Sequence, residues 1–433
     1  MASTLSIIGG GSSYSPVLIR SLIDHFGNFP FNRIVLMDIQ PDRLDIVTKF
    51  LRFQFERYRI NTQVDSCQDL PFALQDVDVV ITLYRVGGLD CRRFDITQAT
   101  KHGILGQETQ GWGGFASALR NIPVAHQISK LLEELSPTAW LINATNPVGI
   151  VTQACNTVRL ERTLGICEIP TRMHIAIAEA LGLRTTDIEL AYVGLNHLSW
   201  VTDVSTKGIP IIDKIFEGPI EKIMNSCLKP NIPNTVSLLN MAKALRAIPS
   251  PYLCYYYLTD ELISRIQSES RKREDIVMEI DGSLMRRYAQ CDDAEWLRLA
   301  AQRGGFLLGS TVAALVEQIL VSTGKLLIPC LPNRNTLPFL SPNAVIETPI
   351  RMRTDSCEGQ PIEDMNSLHP HIRGLVSQVA AYEELTVAAG VSGDYNMALS
   401  ALATHPLIPS LRVAQELLDE TLMIHREFLP QFA

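Results

Sequence analysis

A strand that runs directly into three glycines near the N-terminus constrains the fold of this chain more than any other feature. Leu5–Ile8 is apolar, three glycines follow, and a helix is predicted from Pro16 onward. Glycines at such a turn let backbone amides approach a pyrophosphate, and the helix N-terminus adds unpaired N–H groups and a favourable dipole. The pattern predicts that a dinucleotide binds over Gly9, Gly10, Gly11, Ser12, Ser13 and Tyr14.

The glycine pattern by itself is weak evidence, because ligand-free glycine turns are common and Tyr14 stands where a third glycine is usual. The following strand strengthens it. Ile34–Met37 is apolar and ends at Asp38, whose carboxylate can accept hydrogen bonds from an adenosine ribose. Because an acid at this position repels a ribose phosphate, NAD is predicted rather than NADP.

Strand and helix patterns alternate through roughly the first two hundred residues, which is typical of a parallel sheet. Strands are predicted at Leu5–Gly9, Arg33–Asp38, Asp78–Thr82, Ala139–Asn143 and Arg162–Ile166, with helices at Asp42–Arg59, Ala116–Glu134 and Val148–Thr157. Ligands bind such sheets at the carboxyl ends of the strands. Polar side chains collect at those ends: Asp38, Arg85, Asn143, Asn146 and Cys167.

The second half of the chain has a different pattern, with longer helices and irregular links that contain proline, including Ile248–Pro251 and Ile328–Pro338. A chain of 433 residues also exceeds what one hydrophobic core normally supports. We therefore predict an α/β protein with a Rossmann-like NAD-binding domain at 1–195. An α+β domain for catalysis and oligomerisation is predicted at 196–433.

Composition excludes several classes of function. Lys plus Arg number 38 against 46 Asp plus Glu, a net charge of -8, which argues against nucleic acid as a partner. No segment is long and apolar enough to span a bilayer, and the first strand begins too early for a signal peptide. The nine cysteines show no paired spacing. A cytoplasmic protein, with most cysteines buried as small apolar residues, is predicted.

Several further motifs occur in a recognisable order along the chain. They are Gly87–Leu89 with Arg92 and Asp95, Gly106–Gly111, Gly113–Gly114, Asn121–Pro123, Asn143–Pro147, Gly165–Pro170, Gly194–His197, Tyr252–Tyr256, Arg303–Gly305 and His405–Leu407. In this order they resemble glycoside hydrolase family 4, the NAD- and divalent-metal-dependent glycosidases. The resemblance covers essentially the whole chain and is nearest in motif to the 6-phospho-β-glucosidases.

The resemblance implies a mechanism that differs from the usual pair of carboxylates in glycosidases. NAD+ takes a hydride from sugar carbon three, and the ketone acidifies the proton on carbon two. A base removes that proton, the aglycone leaves by elimination, water adds, and the hydride returns. The family relation thus explains why a glycosidase would have a dinucleotide site, and it implies no net redox change.

Cys167 and His197 match the metal ligands of this family. Taken singly, a cysteine is more often a buried thiol and a histidine more often a hydrogen-bonded structural residue. A thiolate and an imidazole together hold a divalent ion while leaving positions open for substrate oxygens. Mn²⁺ is expected by resemblance, although a thiolate also accepts softer metals.

Tyr252 matches the family's base, and Asp95 is a second candidate catalytic residue carried by the resemblance. An unperturbed tyrosine has a pKa of about 10, so it needs a nearby cation to act at neutral pH. An aromatic cluster after a proline is otherwise core packing or a wall on which a sugar stacks. Tyr255 is the alternative base.

Candidate substrate contacts are Arg92, Asn146, Glu168 and Arg303, and Arg85 and Asn143 are added to the cofactor contacts. Arginines grip anionic groups bidentately, and Ser13 in the glycine loop can assist. Asn146 precedes a proline at a predicted helix start, so it also fits a helix cap. The partners expected are a small glycoside and copies of the same chain in a dimer or tetramer.

The substrate is where the chain departs from the family pattern. Glu168 stands where relatives that cleave 6-phospho-β-glucosides usually have Asn, and Leu308 and Gly309 replace a tyrosine and a serine. Ile96 also replaces the usual acid after Asp95. A 6-phospho-β-glucoside is the first choice, and an unphosphorylated or α-linked sugar is the alternative. A 2-hydroxy acid dehydrogenase and an inactive sugar sensor are the alternatives from other classes.

Overall fold

A mainly parallel sheet with helices on both faces organises the first half of the chain. The computed structural model describes residues 3–227, 236–269, 271–352, 357–360 and 368–433. Its strands are β1 Ser3–Ile8, β2 Phe31–Met37, β3 Gln63–Cys67, β4 Val79–Thr82, β5 Trp140–Asn143, β6 Thr163–Gly165, β7 Glu189–Leu195, β8 Leu198–Thr206, β9 Ile209–Pro210, β10 Ile248–Pro249, β11 Cys330–Pro332 and β12 Val345–Glu347.

The helices connect and cover these strands. They are α1 Ser15–His25, α2 Pro41–Tyr58, α3 Leu70–Leu74, α4 Gly88–Lys101, α5 Gly111–Leu135, α6 Val148–Asn156, α7 Ile169–Leu181, α8 Ile212–Glu217, α9 Ile220–Cys227, α10 Val236–Leu245, α11 Cys254–Tyr257, α12 Thr259–Ser268, α13 Arg273–Ala289, α14 Trp296–Arg303, α15 Leu308–Val321, α16 Pro370–Ser392, α17 Tyr395–Thr404 and α18 Leu411–Ile424.

The main sheet has the strand order β12-β11-β6-β5-β4-β1-β2-β3. Strands β1 to β6 pair in parallel, and β11 and β12 join the edge antiparallel. The strand order runs outward in both directions from β1 and β4, which is the doubly wound arrangement of dinucleotide-binding folds. This confirms the predicted Rossmann-like α/β class and brings the carboxyl ends of β1, β2, β4, β5 and β6 to one edge.

Alternation along the strands produces two hydrophobic layers. Ile7 and Leu36 pack with residues of α1 and α15 on one face, whereas Ile8 and Val35 pack with α5 and α6 on the other. Successive side chains of a strand point to opposite faces, so a strand covered on both faces must be apolar throughout. This explains why the strands at the centre of the sheet are continuous apolar runs in the sequence.

Most predicted elements are confirmed within a few residues, and the exceptions have two causes. Strand β3 was not predicted, because it lies at the sheet edge with mostly exposed or half-buried residues. The proline-containing links predicted at 248–251 and 328–338 contain the short strands β10 and β11. Their pairing partners are distant in sequence, and local patterns do not reveal such partners.

A second, antiparallel sheet in the order β10-β8-β7, with β9 beside β8, follows the main sheet. Its β7–β8 hairpin has a two-residue turn, Asn196 and His197, and His197 has a left-handed φ of 68°. The division at residue 195 stays a prediction. Strands β11 and β12 come from the second half of the chain yet complete the edge of the first sheet.

All nine cysteines lie in the described ranges and are free thiols, and six of them are buried, as predicted. Among the described residues, no single helix has the length and apolar character needed to cross a membrane. Helices α14 and α15 reach the required length and apolar character only when they are taken together, and they are bent by 94° relative to each other.

Candidate active site

The glycine loop is packed so closely that its three glycines have no room for a side chain, and a Cβ on Gly9 would lie 2.6 Å from Tyr84 N. A Cβ on Gly10 would lie 2.9 Å from Leu36 Cβ, and one on Gly11 would lie 2.9 Å from Asp38 Oδ2. Gly11 N donates to the same Asp38 oxygen at 2.9 Å, and Gln40 N donates to its other oxygen at 3.0 Å. The half-buried Asp38 carboxylate is therefore held beside the loop, where a ribose hydroxyl can reach it.

Helix α1 begins directly after this loop, with Tyr14 at the N-cap. Tyr14 makes no side-chain hydrogen bond to cap the helix. The first turn of a helix has unpaired N–H groups and a positive dipole end, which stabilise an anion. The loop, the helix start and Asp38 thus fit the pyrophosphate and ribose of a dinucleotide, as the sequence predicts.

Gly11→Ala is expected to weaken NAD binding at least about tenfold, because the new Cβ displaces the Asp38 carboxylate and the loss of one charge-assisted hydrogen bond is worth about 1.5–3 kcal/mol. Gly27→Ala is the matched control, since a Cβ on Gly27 meets nothing within 4 Å. Titration calorimetry with NAD+ measures both. Equal affinities for the two variants would show that Gly11 does not shape the cofactor site.

Ser13 and Tyr14 join the glycine loop to the second half of the chain. Ser13 Oγ donates to Asp281 Oδ1 at 2.5 Å, and Arg43 donates to the other Asp281 oxygen at 2.9 Å. The Tyr14 hydroxyl donates to Gly305 O at 2.7 Å and accepts from Gly309 N at 2.9 Å. Tyr14 therefore connects the segment after Arg303 to the glycine loop by two hydrogen bonds. This gives a structural reason for a tyrosine in place of the third glycine.

The loop after β5 is braced by two asparagines. Asn143 is fully buried, and its amide accepts from Thr82 Oγ1 at 2.8 Å and donates to Thr152 Oγ1 at 3.0 Å. Asn121 Nδ2 donates to Asn146 O at 2.8 Å, and its Oδ1 accepts from Val86 N at 3.0 Å. Asn143 therefore shapes the loop with its side chain. The half-buried Asn146 side chain remains a candidate contact.

Cys167 and His197, separated by 30 residues in the sequence, meet at the carboxyl edge of the sheet. Cys167 lies between β6 and α7, and its Sγ is 3.4 Å from His197 Nε2. Sulfur and imidazole donors bound to one ion at about 2.3 and 2.1 Å lie about 3.1–3.5 Å apart. Both residues are over nine-tenths buried. The donor pair therefore fits a single divalent ion.

Within the described ranges, no group of three or more His, Cys, Asp or Glu side chains that could hold a metal is present. A two-donor set leaves most coordination positions to substrate oxygens or water. Catalytic metal sites keep such open positions, whereas structural sites fill them with protein ligands.

Glu347 supports the turn that presents His197, and no sequence motif pointed to it. Its carboxylate accepts from Asn196 Nδ2 at 2.8 Å, Tyr192 Oη at 3.1 Å and Ser199 Oγ at 3.3 Å. All three donors belong to the β7–β8 hairpin, on either side of the turn. Burial raises the pKa of Glu347 to about 7, and its hydrogen bonds oppose this shift. Burial and the charge of Glu347 raise the pKa of the nearby Glu383 to about 8.

The free energy of unfolding is expected to fall as the pH rises from about 6.5 to about 8. Below about 6.5 the buried His405 and His425, whose pKa values burial lowers to about 3 and about 4, have the opposite effect. The folded chain keeps protons on Glu347 and Glu383 that the unfolded chain releases above about 4.5. Each unit of pKa difference corresponds to about 1.4 kcal/mol, so the decline amounts to a few kcal/mol. Urea denaturation across this range should show a shallower slope for Glu383→Gln. Glu179→Gln, an exposed glutamate on α7, is the control, and equal slopes for both variants would contradict the assignment.

Tyr252 stacks on the imidazole of His197, with ring centroids 3.6 Å apart and an interplanar angle of 13°. Burial raises the pKa of Tyr252 well above its ordinary value, and the charges of Cys167, Glu108 and Glu168 raise it further. A divalent ion beside the Cys167–His197 pair would oppose this effect. Tyr255 contacts Tyr252 edge to face at 5.6 Å and thus stands one ring further from His197.

Four arginines with few counter-ions lie near these residues. Glu108 pairs with Arg85 at 3.3 Å and with Arg92 at 2.8 Å. Burial lowers the pKa of Arg85, and the charges of Arg92 and Arg303 add to this effect. Arg273 donates to the Arg303 carbonyl at 2.7 Å, and burial, Arg92 and Arg303 lower its pKa too. Arg85, Arg92, Arg273 and Arg303 are called the arginine cluster below.

Arg303 is only distantly paired with a carboxylate. Its Nε is 3.9 Å from Asp281 Oδ1, a carboxylate already bound by Arg43 and Ser13. This Nε is buried and forms no hydrogen bond within the described part of the chain. Arg303 and Ser13, both predicted to grip an anion, are thus brought together around Asp281.

The structure places Asp95 in a buried ion pair. Both Asp95 oxygens accept from Arg120, one of them at 3.1 Å from Nη1, and both side chains are almost fully buried. Burial raises the pKa of Asp95 to about 6, and Arg120 opposes this shift. The observed contacts give Asp95 a structural partner, and its catalytic role stays a prediction.

Glu168 and Gly309 account for two of the departures from the family pattern. Glu168 Oε2 accepts from Leu307 N at 2.9 Å and so holds the segment that follows Arg303. A Cβ on Gly309 would lie 2.3 Å from Ser21 Oγ, which means that α15 packs on α1 too closely for a serine there. Glu168 is thus matched by Leu307, and Gly309 by Ser21. Together the two departures change which side chains line the site next to Cys167.

The fold and the site together define an enzyme of the dinucleotide-binding α/β class, with a Cys–His donor pair at the strand ends. The family 4 glycosyl hydrolase model matches residues 4–183, and the model for its C-terminal domain matches residues 192–408. The chain belongs to the family 4 glycosyl hydrolases, which confirms the resemblance seen in the sequence.

Relatives of known name are similar over nearly the full length. The chain is 32% identical to a probable 6-phospho-beta-glucosidase of Bacillus subtilis, covering 98% of this chain and 97% of that protein. A structure of the Thermotoga maritima 6-phospho-beta glucosidase with manganese, NAD+ and glucose-6-phosphate has a TM-score of 0.84 at 29% identity, covering 98% and 99% of the two chains. A 6-phospho-alpha-glucosidase from gut microorganisms, in complex with NAD and glucose-6-phosphate, has a TM-score of 0.88 at 25% identity, covering 100% of both.

Proposed function

We propose that the protein hydrolyses 6-phospho-β-glucosides by transient oxidation at sugar carbon three, with NAD+ and a divalent metal ion such as Mn²⁺. The named relatives that support this are a probable 6-phospho-beta-glucosidase and a structure that holds NAD+, manganese and glucose-6-phosphate. The matching residues of this chain have suitable chemistry for the same ligands. Family membership favours this function over the dehydrogenase and the sugar sensor.

The observation that supports an anionic substrate is the arginine cluster. Among the described residues, Glu108 pairs with Arg85 and Arg92, Asp281 lies 3.9 Å from Arg303, and the charge of Glu274 acts on Arg273. The charge of Glu108 affects the pKa of Tyr252, so Glu108 lies near that residue. The arginine cluster therefore adjoins Cys167, His197 and Tyr252, which are called the Cys–His–Tyr group below. A sugar with a phosphate at carbon six would supply the missing negative charge and accept bidentate hydrogen bonds.

The residues divide the chemistry among them. When bound, NAD+ accepts and returns a hydride, and the divalent ion acts as a Lewis acid for the sugar oxygens. The glycine loop and Asp38 hold the dinucleotide, and Cys167 and His197 hold the ion. After the hydride has left carbon three, the Tyr252 phenolate takes the proton from carbon two. The bond from carbon one to the aglycone oxygen breaks, and that oxygen takes up a proton from water.

The second half of the cycle restores the sugar. Water adds to carbon one, Tyr252 returns its proton to carbon two, and the hydride returns to carbon three. The sum is one glycosidic bond and one water converted into a free sugar and an alcohol. Tyr252 acts in both directions, which suits its position directly against His197.

Arg303→Met is expected to lower kcat/KM for a 6-phosphoglucoside about 10- to 100-fold, because hydrogen bonds to charged groups contribute about 1.5–3 kcal/mol. The same variant should leave the low rate on an unphosphorylated glucoside unchanged. Arg298→Met is the matched control, since Arg298 lies on the same helix and is 75% exposed. Equal losses on both substrates would contradict a phosphate-binding role for Arg303.

A second candidate substrate is an unphosphorylated or α-linked sugar. Glu168 and Asp281 are carboxylates near the segment that follows Arg303, and they favour a less anionic ligand there. Aglycone release from p-nitrophenyl α- and β-glucosides, with and without a 6-phosphate, decides between the substrates. The proposal requires the 6-phospho-β-glucoside to be cleaved fastest, and only with NAD+ and Mn²⁺ present. Preference for an unphosphorylated sugar would overturn it.

Assembly and compartment are part of the proposal. We infer a homodimer or homotetramer that acts on a small glycoside in the cytoplasm. Nine free thiols support a reducing compartment. Sedimentation of the purified chain measures the subunit number, and a monomer at working concentration would contradict the inferred assembly.

A further inference from the structure

The segment before α5 connects Gln107 and Thr109 to His197. Gln107 Oε1 accepts from Thr109 N at 2.6 Å, Gln110 N at 2.6 Å and Thr109 Oγ1 at 3.0 Å. Thr109 Oγ1 is also 3.0 Å from His197 Nδ1. Gln107, Thr109 and His197 are all more than nine-tenths buried, so these contacts are shielded from bulk water.

The donors and acceptors in this chain of contacts allow one arrangement of protons. Two backbone N–H groups point at the same Gln107 side-chain atom, which must therefore be the amide oxygen and can only accept. The Thr109 hydroxyl has one proton, and it donates that proton to Gln107. Towards His197 the hydroxyl presents a lone pair, so His197 Nδ1 must bear the hydrogen.

A neutral imidazole with its proton on Nδ1 has a lone pair on Nε2. That nitrogen is the one 3.4 Å from Cys167 Sγ. We propose that Thr109, oriented by Gln107, is a positioning residue that fixes His197 in the tautomer whose Nε2 binds the metal ion. This inference rests on the proposed function, because it takes Cys167 and His197 as the metal ligands.

The backbone around Thr109 is held in place by a neighbouring pair of glycines. A Cβ on Gly113 would lie 2.1 Å from Gln107 O, and one on Gly114 would lie 2.6 Å from Thr109 O. The segment thus lies directly on the first turn of α5, and this explains the two glycines of the motif. The backbone that carries the Thr109 hydroxyl is therefore closely packed against α5 where the hydroxyl contacts His197.

The orientation of the imidazole also has a second restraint on the opposite side of the turn. Asn196 is tied to Glu347, and the His197 ring stacks on Tyr252. These contacts restrict where the ring lies but do not select a tautomer, because neither bonds to a ring nitrogen. Thr109 is the contact at Nδ1, and Cys167 lies at Nε2 on the other side of the ring.

Removal of a hydrogen-bond partner behind a metal-binding histidine typically weakens metal binding about 10- to 100-fold. Thr109→Val keeps the shape of the side chain and removes the hydroxyl, so the Kd for Mn²⁺ is expected to rise by about this factor. Thr109→Ser keeps the hydroxyl and should stay within about threefold of the parent protein. Thr100→Val is the matched control, because Thr100 Oγ1 donates to Ile96 O of its own helix.

The experiment measures free Mn²⁺ by electron paramagnetic resonance during titration of the full-length protein with NAD+ bound, and NAD+ affinity reports that each variant is folded. Weak Mn²⁺ binding by Thr109→Val, with normal binding by Thr109→Ser and Thr100→Val, supports the proposal. Normal binding by Thr109→Val, or an equal loss in Thr109→Ser, overturns it. If Thr109→Val does not fold, the smaller Thr109→Ala replaces it with the same expectation.

Cys167→Ser and His197→Ala separate this inference from the proposed function. If both bind Mn²⁺ like the parent protein, the metal ligands themselves are wrong. If both lose Mn²⁺ while Thr109→Val retains it, the metal site stands and only the role of Thr109 falls.

Discussion

Tyr252→Phe is expected to lower kcat for 6-phosphoglucoside cleavage by about 10²- to 10⁴-fold, the usual contribution of a positioned general base. The substitution removes only the hydroxyl group, so the stacking on His197 at 3.6 Å and the binding of NAD+ should persist. Substrate deuterated at carbon two should exchange its label with solvent in the parent protein but not in the variant. Mass spectrometry of recovered substrate measures this exchange.

Tyr255→Phe is the control for the assignment of the base. Tyr255 contacts Tyr252 edge to face and belongs to the same aromatic group, so its hydroxyl is the alternative base. We expect Tyr255→Phe to exchange the label at nearly the parent rate. Normal exchange in Tyr252→Phe together with lost exchange in Tyr255→Phe would transfer the role to Tyr255.

Loss of the metal ion is expected to have the second largest effect. Lewis-acid stabilisation by a bound ion is worth several kcal/mol, so treatment with a chelator should lower kcat by about 10³-fold. Added Mn²⁺ should restore the parent protein. Cys167→Ser should remain inactive at the Mn²⁺ concentration that restores the parent, because serine replaces the thiolate donor 3.4 Å from His197 Nε2.

Cys291→Ser is the control for the loss of a thiol as such. Cys291 is half-buried and lies after α13, outside the Cys–His–Tyr group. It should respond to the chelator and to Mn²⁺ like the parent protein. Full activity of chelated parent protein, confirmed metal-free by elemental analysis, would contradict a catalytic ion.

Local sequence patterns were sufficient for the parts of the site that lie at strand ends. The glycine loop follows β1, Asp38 follows β2 and Cys167 follows β6, and parallel pairing brings them to one edge. Apolar runs reveal buried strands, and parallel pairing places the carboxyl ends of those strands at the same edge of the sheet. His197 was identified through its motif, although its 30-residue separation from Cys167 gave no local signal of their contact.

Contacts that depend on the second half of the chain were not predictable in this way. Glu347 meets Asn196 from 151 residues away, and Asp281 meets Ser13 from 268 residues away. Each is an ordinary acid on a short strand or a helix, without a motif around it. Their partners are determined by how β12 packs beside β7 and how α13 packs on α2, and a sequence read locally does not contain that information.

The departures from the family pattern became interpretable only through packing. Tyr14 bonds two backbone groups of the Gly305–Gly309 segment, and Glu168 bonds a third. These side chains on the first half of the chain support the segment next to Arg303. A substitution that looks isolated in the sequence is thus one side of a contact between distant segments.

The amount of NADH formed per aglycone released distinguishes transient oxidation of the sugar from net oxidation. With purified protein, NAD+, Mn²⁺ and p-nitrophenyl 6-phospho-β-glucoside, absorbance records p-nitrophenol and NADH fluorescence records the cofactor in the same sample. We expect many molecules of p-nitrophenol per active site and no accumulation of NADH, because the hydride returns to sugar carbon three in every turnover. One NADH per molecule of product, or equal release without NAD+, would contradict it.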